Sequence, residues 1–162
     1  MASDCGPFPD VMTYRTNAAK APAMTSHTPL AATGLVALGG GAGAVLRYQA
    51  GRGLTALLGP ATVSAFPWAT LLVNVAGSLA MGLLAGWLAR HGHATGTSGE
   101  TWRLLIGVGL LGGFTTFSAF SLEMMLLIER GQPGSAFAYA AISVLAGVTA
   151  LYIGLIVMRL TA

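Results

Sequence analysis

The chain has 162 residues, 54% of them hydrophobic and 8% charged, with a formal net charge of +3. A soluble domain carries about 25% charged residues, and no Asp or Glu lies between Asp10 and Glu100, which excludes most soluble folds and most acid–base enzymes. Its basic residues are spread over loops and ends without a basic run, which argues against nucleic acid as a partner.

Residues 1–28 are rich in Ala, Pro, Ser and Thr and lack helical periodicity. They read as a disordered tail rather than a cleaved signal peptide, because the apolar stretch that follows is long enough to span. Cys5 lies alone in this tail and cannot form an internal disulfide. Residues 29–162 hold four apolar stretches, each long enough to cross a bilayer that needs ~20 apolar residues. They run from about Leu30 to Leu58, Pro67 to Ala89, Trp102 to Ile128 and Ser135 to Met158. The fold class is therefore an all-α, multi-pass membrane protein with four transmembrane helices.

The first span contains Gly39-Gly40-Gly41-Ala42-Gly43-Ala44. A dinucleotide loop would need a βαβ unit and an acid about 20 residues on, and the next acid is Glu100. Gly39 and Gly43 instead have the small-xxx-small spacing that lets helices approach closely. Arg47 follows one turn later. It either snorkels to the headgroups or lines an aqueous vestibule that attracts anions.

In the second span Thr70, Asn74 and Ser78 share one helix face. Asn74 is either an NH₂ donor to an anion or an interhelical hydrogen bond. Ser78, Gly82 and Gly86 continue that face with small residues and predict close packing. His91 and His93 follow in a loop, and two histidines without a third ligand point to no metal site.

The third span is interrupted by Gly112-Gly113-Phe114-Thr115-Thr116-Phe117-Ser118-Ala119-Phe120-Ser121. Adjacent glycines weaken a helix. An opened helix in a bilayer is tolerated only where protein, water or an ion satisfies its backbone. The segment therefore reads as a broken helix lining an ion path. Phe114, Phe117, Phe120 and Glu123 lie on one face. Taken alone, the aromatic stripe is packing. Beside the hydroxyls of Thr115, Thr116 and Ser118, ring edges, which are electropositive, suit a small anion. Glu123 is either a vestibule residue or the start of a polar helix end. The fourth span sets Tyr139, Ser143 and Gly147 on one narrow face, either for packing or for a polar lining.

Four spans place both termini on one side with Arg15, Lys20, Arg90, Arg103 and Arg159, and leave Arg52 and Arg130 opposite, with Arg47 near the helix end. The positive-inside bias is small, which suits either a modest termini-inside preference or insertion both ways up.

Three motifs in order, Gly-Gly-Gly-Ala-Gly-Ala-Val-Leu-Arg-Tyr (39–48), Trp-Ala-Thr-Leu-Leu-Val-Asn-Val-Ala-Gly-Ser (68–78) and Gly-Gly-Phe-Thr-Thr-Phe-Ser-Ala-Phe-Ser-Leu-Glu (112–123), resemble the Fluc fluoride channels, also called the CrcB family. The resemblance covers about residues 33–159. It implies an antiparallel, dual-topology homodimer with two fluoride pores in the inner (cytoplasmic) membrane. It also implies pore phenylalanines at Phe117 and Phe120, a pore asparagine at Asn74 and a vestibule arginine at Arg47. A polar track through Ser118, Tyr139 and Ser143, with Thr116 among the pore hydroxyls, belongs to the same implication. So does a structural Na⁺ on the two-fold axis, held by the carbonyls of Gly112 and Thr115 from each subunit. Two departures remove hydroxyls: Ala119, where the family often has Thr, and Gly147, where it often has Ser.

The function so implied is passive, selective fluoride export with no enzymatic step. The partners are fluoride, lipid and a second copy of the chain. One rival is a small proton-coupled multidrug transporter, which needs a membrane carboxylate, most simply in the first helix, where there is none. The other is a non-transporting membrane scaffold, which does not require Asn74, the Thr-Thr pair and the break together.

Overall fold

The computed structural model describes residues 27–95 and 97–161. Cys5, Arg15, Lys20 and the rest of residues 1–26 lie outside them. Helix α1, Pro29–Leu58, begins with Thr28, whose hydroxyl accepts from the Ala31 N–H at 3.3 Å, and with Pro29 in the first turn, where a missing N–H costs nothing. It stops at Gly59, whose φ of 81° suits glycine. A short α2, Pro60–Ala65, leads into α3, Trp68–Thr95. Sequence reasoning ends this span near Ala89 and puts His91 in a loop. The helix runs on, with His91 stacked on Trp87 at 5.4 Å and its Nδ1 3.1 Å from the Trp87 carbonyl.

The third stretch changes character along its length. It opens with α4, Thr97–Trp102, and widens into a π-helix, π1, over Arg103–Leu111. The Gly112 N–H there reaches the Gly107 carbonyl five residues back. A single turn, α5, covers Gly112–Phe114. Thr115 (φ −80°, ψ 157°) and Thr116 (φ −151°, ψ 121°) are extended, and α6 runs over Phe117–Glu129. A turn through Gly131 (φ 73°) reverses the chain into α7, Pro133–Leu160. The described residues form no strand. Four of the helical stretches are long and apolar enough to cross a membrane.

Lipid tails are as apolar as leucine, so association within a bilayer rests on close contact and on polar bonds. Both are present. Gly39 and Gly43 of α1 face π1 so closely that a Cβ on either would collide with the Leu105 and Leu110 carbonyls respectively. The Gly-Gly pair at 112–113 is helical rather than open: Gly113 lies against the Gly40 backbone, where it too has no room for a Cβ. The glycines thus bring backbones together, and the departure from helix falls on the two threonines that follow. Helices α3 and α7 run parallel in a four-residue step. Ser78 lies beside Gly147, Gly82 beside Leu151 and Gly86 beside Leu155 and Met158. The small core of Leu71, Leu127, Ala136 and Tyr139 sits where α3, α6 and α7 meet, with Phe66, Val75, Phe120 and Met124 packed around it.

Candidate functional site

The extended pair Thr115–Thr116 is held from α3. The Asn74 Nδ2 donates to the Thr116 carbonyl at 3.0 Å, and the Thr116 N–H donates to Asn74 Oδ1 at 2.8 Å. This reciprocal clasp fixes the amide's orientation, because the backbone N–H demands the oxygen and the carbonyl demands the nitrogen. One of the two Nδ2 protons is committed by it, and the other remains a donor. Of the two roles open to Asn74 in the sequence, the structure shows the interhelical bond, and that bond leaves one N–H over.

The clasp also redirects backbone bonds. In a continuous helix the Thr116 N–H would reach the Gly112 carbonyl and the Ala119 N–H would reach that of Thr115. The first is given to Asn74. The second donates to Thr116 Oγ1 at 3.2 Å, an N-cap that starts α6. Gly112 and Thr115 thus have carbonyls deprived of their helical donors. Thr115 is otherwise tied inward, its N–H and hydroxyl both donating to the Leu111 carbonyl at 3.0 and 2.9 Å. Its methyl fills the space at Gly77.

Beyond the break, Thr116 Oγ1 and Ser118 Oγ share a hydrogen bond of 3.2 Å. Phe117 and Phe120 have ring centroids 5.6 Å apart, and Phe120 lies 5.0 Å from the Tyr139 ring. Phe120 is half-buried, but Phe117 is 79% exposed and projects from the chain. Glu123, one turn further, is held by two hydroxyls. Thr70 Oγ1 donates to Oε1 at 2.7 Å and Tyr139 OH to Oε2 at 2.8 Å, short bonds of the kind a carboxylate makes. Tyr139 is wholly buried, its ring edge-on to Phe66 at 5.5 Å. Ser143 has a buried hydroxyl with no hydrogen-bond partner among the described residues, and the α3–α7 step puts it level with Asn74.

Arg47 lines a cavity of about 330 Å³ whose wall includes Tyr48, Thr70, Val73, Thr116 and Ala119. The structure thus brings Asn74, Thr116 and Ser118 to the start of α6, with Phe120, Glu123 and Tyr139 along its next two turns, Arg47 on the cavity that Thr116 also lines, and Phe117 exposed. Sequence reasoning misses Thr70 as a partner of Glu123. The signal was present: Thr70 shares the Asn74 face, and a carboxylate inside a span must find donors.

Comparison with known proteins decides the family. The family described as CrcB-like protein, Camphor Resistance (CrcB), matches residues 34–155. The chain belongs to the CrcB family. A CrcB relative from Novosphingobium aromaticivorans, a protein named fluoride-specific ion channel FluC, is 61% identical over 130 residues, covering 80% of this chain and 98% of the relative. Proteins of the same name from Erythrobacter litoralis and Caulobacter vibrioides are 54% and 51% identical. The first covers 86% of this chain and its own whole length, the second 77% of this chain and 93% of its own. The three motifs at 39–48, 68–78 and 112–123 all fall inside the CrcB match.

Proposed function

We propose that this chain is a fluoride-selective ion channel, passing the anion passively out of the cytoplasm, and that it is a channel and not an enzyme. The observation that carries the reading is the Asn74–Thr116 clasp: within a membrane span it holds an extended pair next to free donors and ring edges. Relatives named as fluoride channels, matched over most of their length, support it.

A small anion leaves water only if something replaces its hydration shell. The free Asn74 N–H, the Ser143 hydroxyl and whichever of the Thr116 and Ser118 hydroxyls does not donate to the other are such donors. The edges of Phe117 and Phe120 add electropositive surface without a strong hydrogen bond that would hold the ion. Glu123 is kept from the ion by its two hydroxyl donors. Through Tyr139 it steadies Phe120, while Arg47 draws anions into the cavity that ends at Thr116.

A pore needs walls on all sides, and Phe117 faces away from its own chain. That exposure supports a second copy as the other wall, in an antiparallel, dual-topology homodimer with two pores in the cytoplasmic membrane. The carbonyls of Gly112 and Thr115 are hard oxygen donors, and they are the ones whose helical N–H partners are diverted, which fits a structural Na⁺. Two copies would offer four such oxygens at a shared axis. The ion would neutralise the carbonyl dipoles there.

The test is fluoride efflux from liposomes holding the purified protein, read by a fluoride electrode, with chloride as control. Fast fluoride release with retained chloride is expected. A folded, reconstituted protein that releases neither, or both alike, would overturn the reading.

A further inference from the structure

The cavity that ends at Thr116 continues outward. A second cavity, of about 620 Å³, shares Arg47, Tyr48, Gly51 and Ala69 with it and extends along α1 to Arg52 and Thr55. Arg52 lies one turn beyond Tyr48, and its guanidinium carbon is 5.9 Å from the Tyr48 ring centroid, within the range of a cation–π contact. A ring face so placed restricts a long, otherwise mobile side chain while leaving its N–H donors free.

The charges around the route are unequal. Among the described residues no carboxylate lines either cavity, and none lies within ion-pair distance of Arg47 or Arg52. Glu123 is bonded to Thr70 behind the wall and faces a separate cavity of about 120 Å³ with Arg130, whose Nη1 donates to the Ser64 carbonyl at 2.8 Å. Glu129 is exposed at the end of α6. Two cations stand along the open side of the route, about 7.5 Å apart along the helix axis. Low-dielectric walls on either side focus their field.

We propose that Arg52, steadied by the Tyr48 ring, forms with Arg47 an outer collecting site for small inorganic anions at the mouth of the route to Thr116. This rests on the channel reading and adds to it a residue outside the pore. Arg52 sets how often an anion arrives rather than which anion passes. A unit charge acting over ~10 Å in water changes the local anion concentration about twofold, and more where the walls focus the field.

The decisive measurement is initial fluoride efflux from vesicles of neutral, zwitterionic phospholipid, at low and high concentrations of an inert salt. The screening length is about 30 Å at ~0.01 M and about 3 Å at ~1 M. At low salt, Arg52→Gln is expected to slow efflux at least twofold and Arg52→Glu further, with Arg52→Lys near wild type. At high salt the differences close. Tyr48→Leu, which keeps the charge but frees the side chain, falls between wild type and Arg52→Gln. Equal rates for wild type and Arg52→Gln at low salt would overturn the proposal. So would a deficit that persists unchanged at high salt, which marks a structural role, or one seen only with anionic lipid, which marks a headgroup contact. Each of these leaves fluoride flux in the wild type intact. A silent wild type instead removes the channel reading and this proposal with it.

Discussion

The two halves of the third span solve the same problem by different means. From Arg103 to Phe114 the chain packs backbone to backbone against α1. Gly39, Gly43 and Gly113 remove side chains from the contact, and main-chain bonds stay within the segment. From Phe117 to Glu129 the contact is made by polar and aromatic side chains. Asn74 holds the start, Thr70 and Tyr139 hold Glu123, and Phe117, Leu122 and Met125 face outward. The first half is a wall that tolerates no added volume. The second is a row of donors and rings, bonded on one side and open on the other. A membrane protein can thus build one part of a span on absent side chains and the next on present ones, a few residues apart.

The sharpest way to break this comparison is to fill the wall. Gly43→Leu forces a side chain into the Leu110 carbonyl. Relief requires the two helices to part, at a cost above the ~1–3 kcal/mol of ordinary overpacking. No monodisperse protein is expected in size-exclusion chromatography after detergent extraction. Asn74→Ala comes next. It strands both polar groups of Thr116, worth about 1–3 kcal/mol for each buried group left unpaired, and deletes the donor. Fluoride efflux should fall at least about tenfold, the rate equivalent of ~1.4 kcal/mol, while the protein remains extractable and folded. Chloride retention in the same vesicles separates lost conduction from leak.

The Glu123 bonds test whether the second half acts as one unit. Tyr139→Phe and Thr70→Val each remove one hydroxyl from the carboxylate, at about 1.5–3 kcal/mol for a bond to a charged group. If the cluster is coupled, the double variant loses a different amount from the sum of the singles, by about 0.5 kcal/mol or more in thermal unfolding. Strict additivity would mean independent contacts. The smallest effect should come from Gly147→Ala. The added methyl meets Ser78 Oγ at 3.5 Å, an ordinary contact. It relieves a helix of a glycine worth up to about 1 kcal/mol, so the unfolding temperature should rise slightly and efflux stay unchanged.

What the sequence discloses follows the same division. Four apolar runs, each long enough to cross a bilayer, suffice to place four spans. Gly39 and Gly43 announce their close contact by spacing alone. The position of the interruption is legible only to within a few residues. Glycine weakness points at 112–113, whereas the extended residues are 115 and 116, because Asn74 is there to bond them. That bond joins residues 42 apart in the chain, and the Thr70–Glu123 bond joins residues 53 apart. No local pattern names both members of such a pair, although the need of a carboxylate within a span for donors, and the place of Thr70 on the Asn74 face, point toward the second. The π-helix over Arg103–Leu111 is equally silent: its glycines, Gly107 and Gly109, weaken a helix without saying that its turns widen.

The interruption at Thr115–Thr116 has an electrical consequence. Peptide dipoles add along a helix, leaving its beginning positive and its end negative by about half a charge. The turn that closes at Phe114 ends at the same place where α6 begins. The negative pole of one segment and the positive pole of the next therefore meet two residues apart. On one side the joint offers oxygens, on the other N–H groups. A single backbone defect can in this way present surfaces of both signs in the middle of a membrane without exposing one ionised side chain there, and so without the desolvation that such a charge would incur.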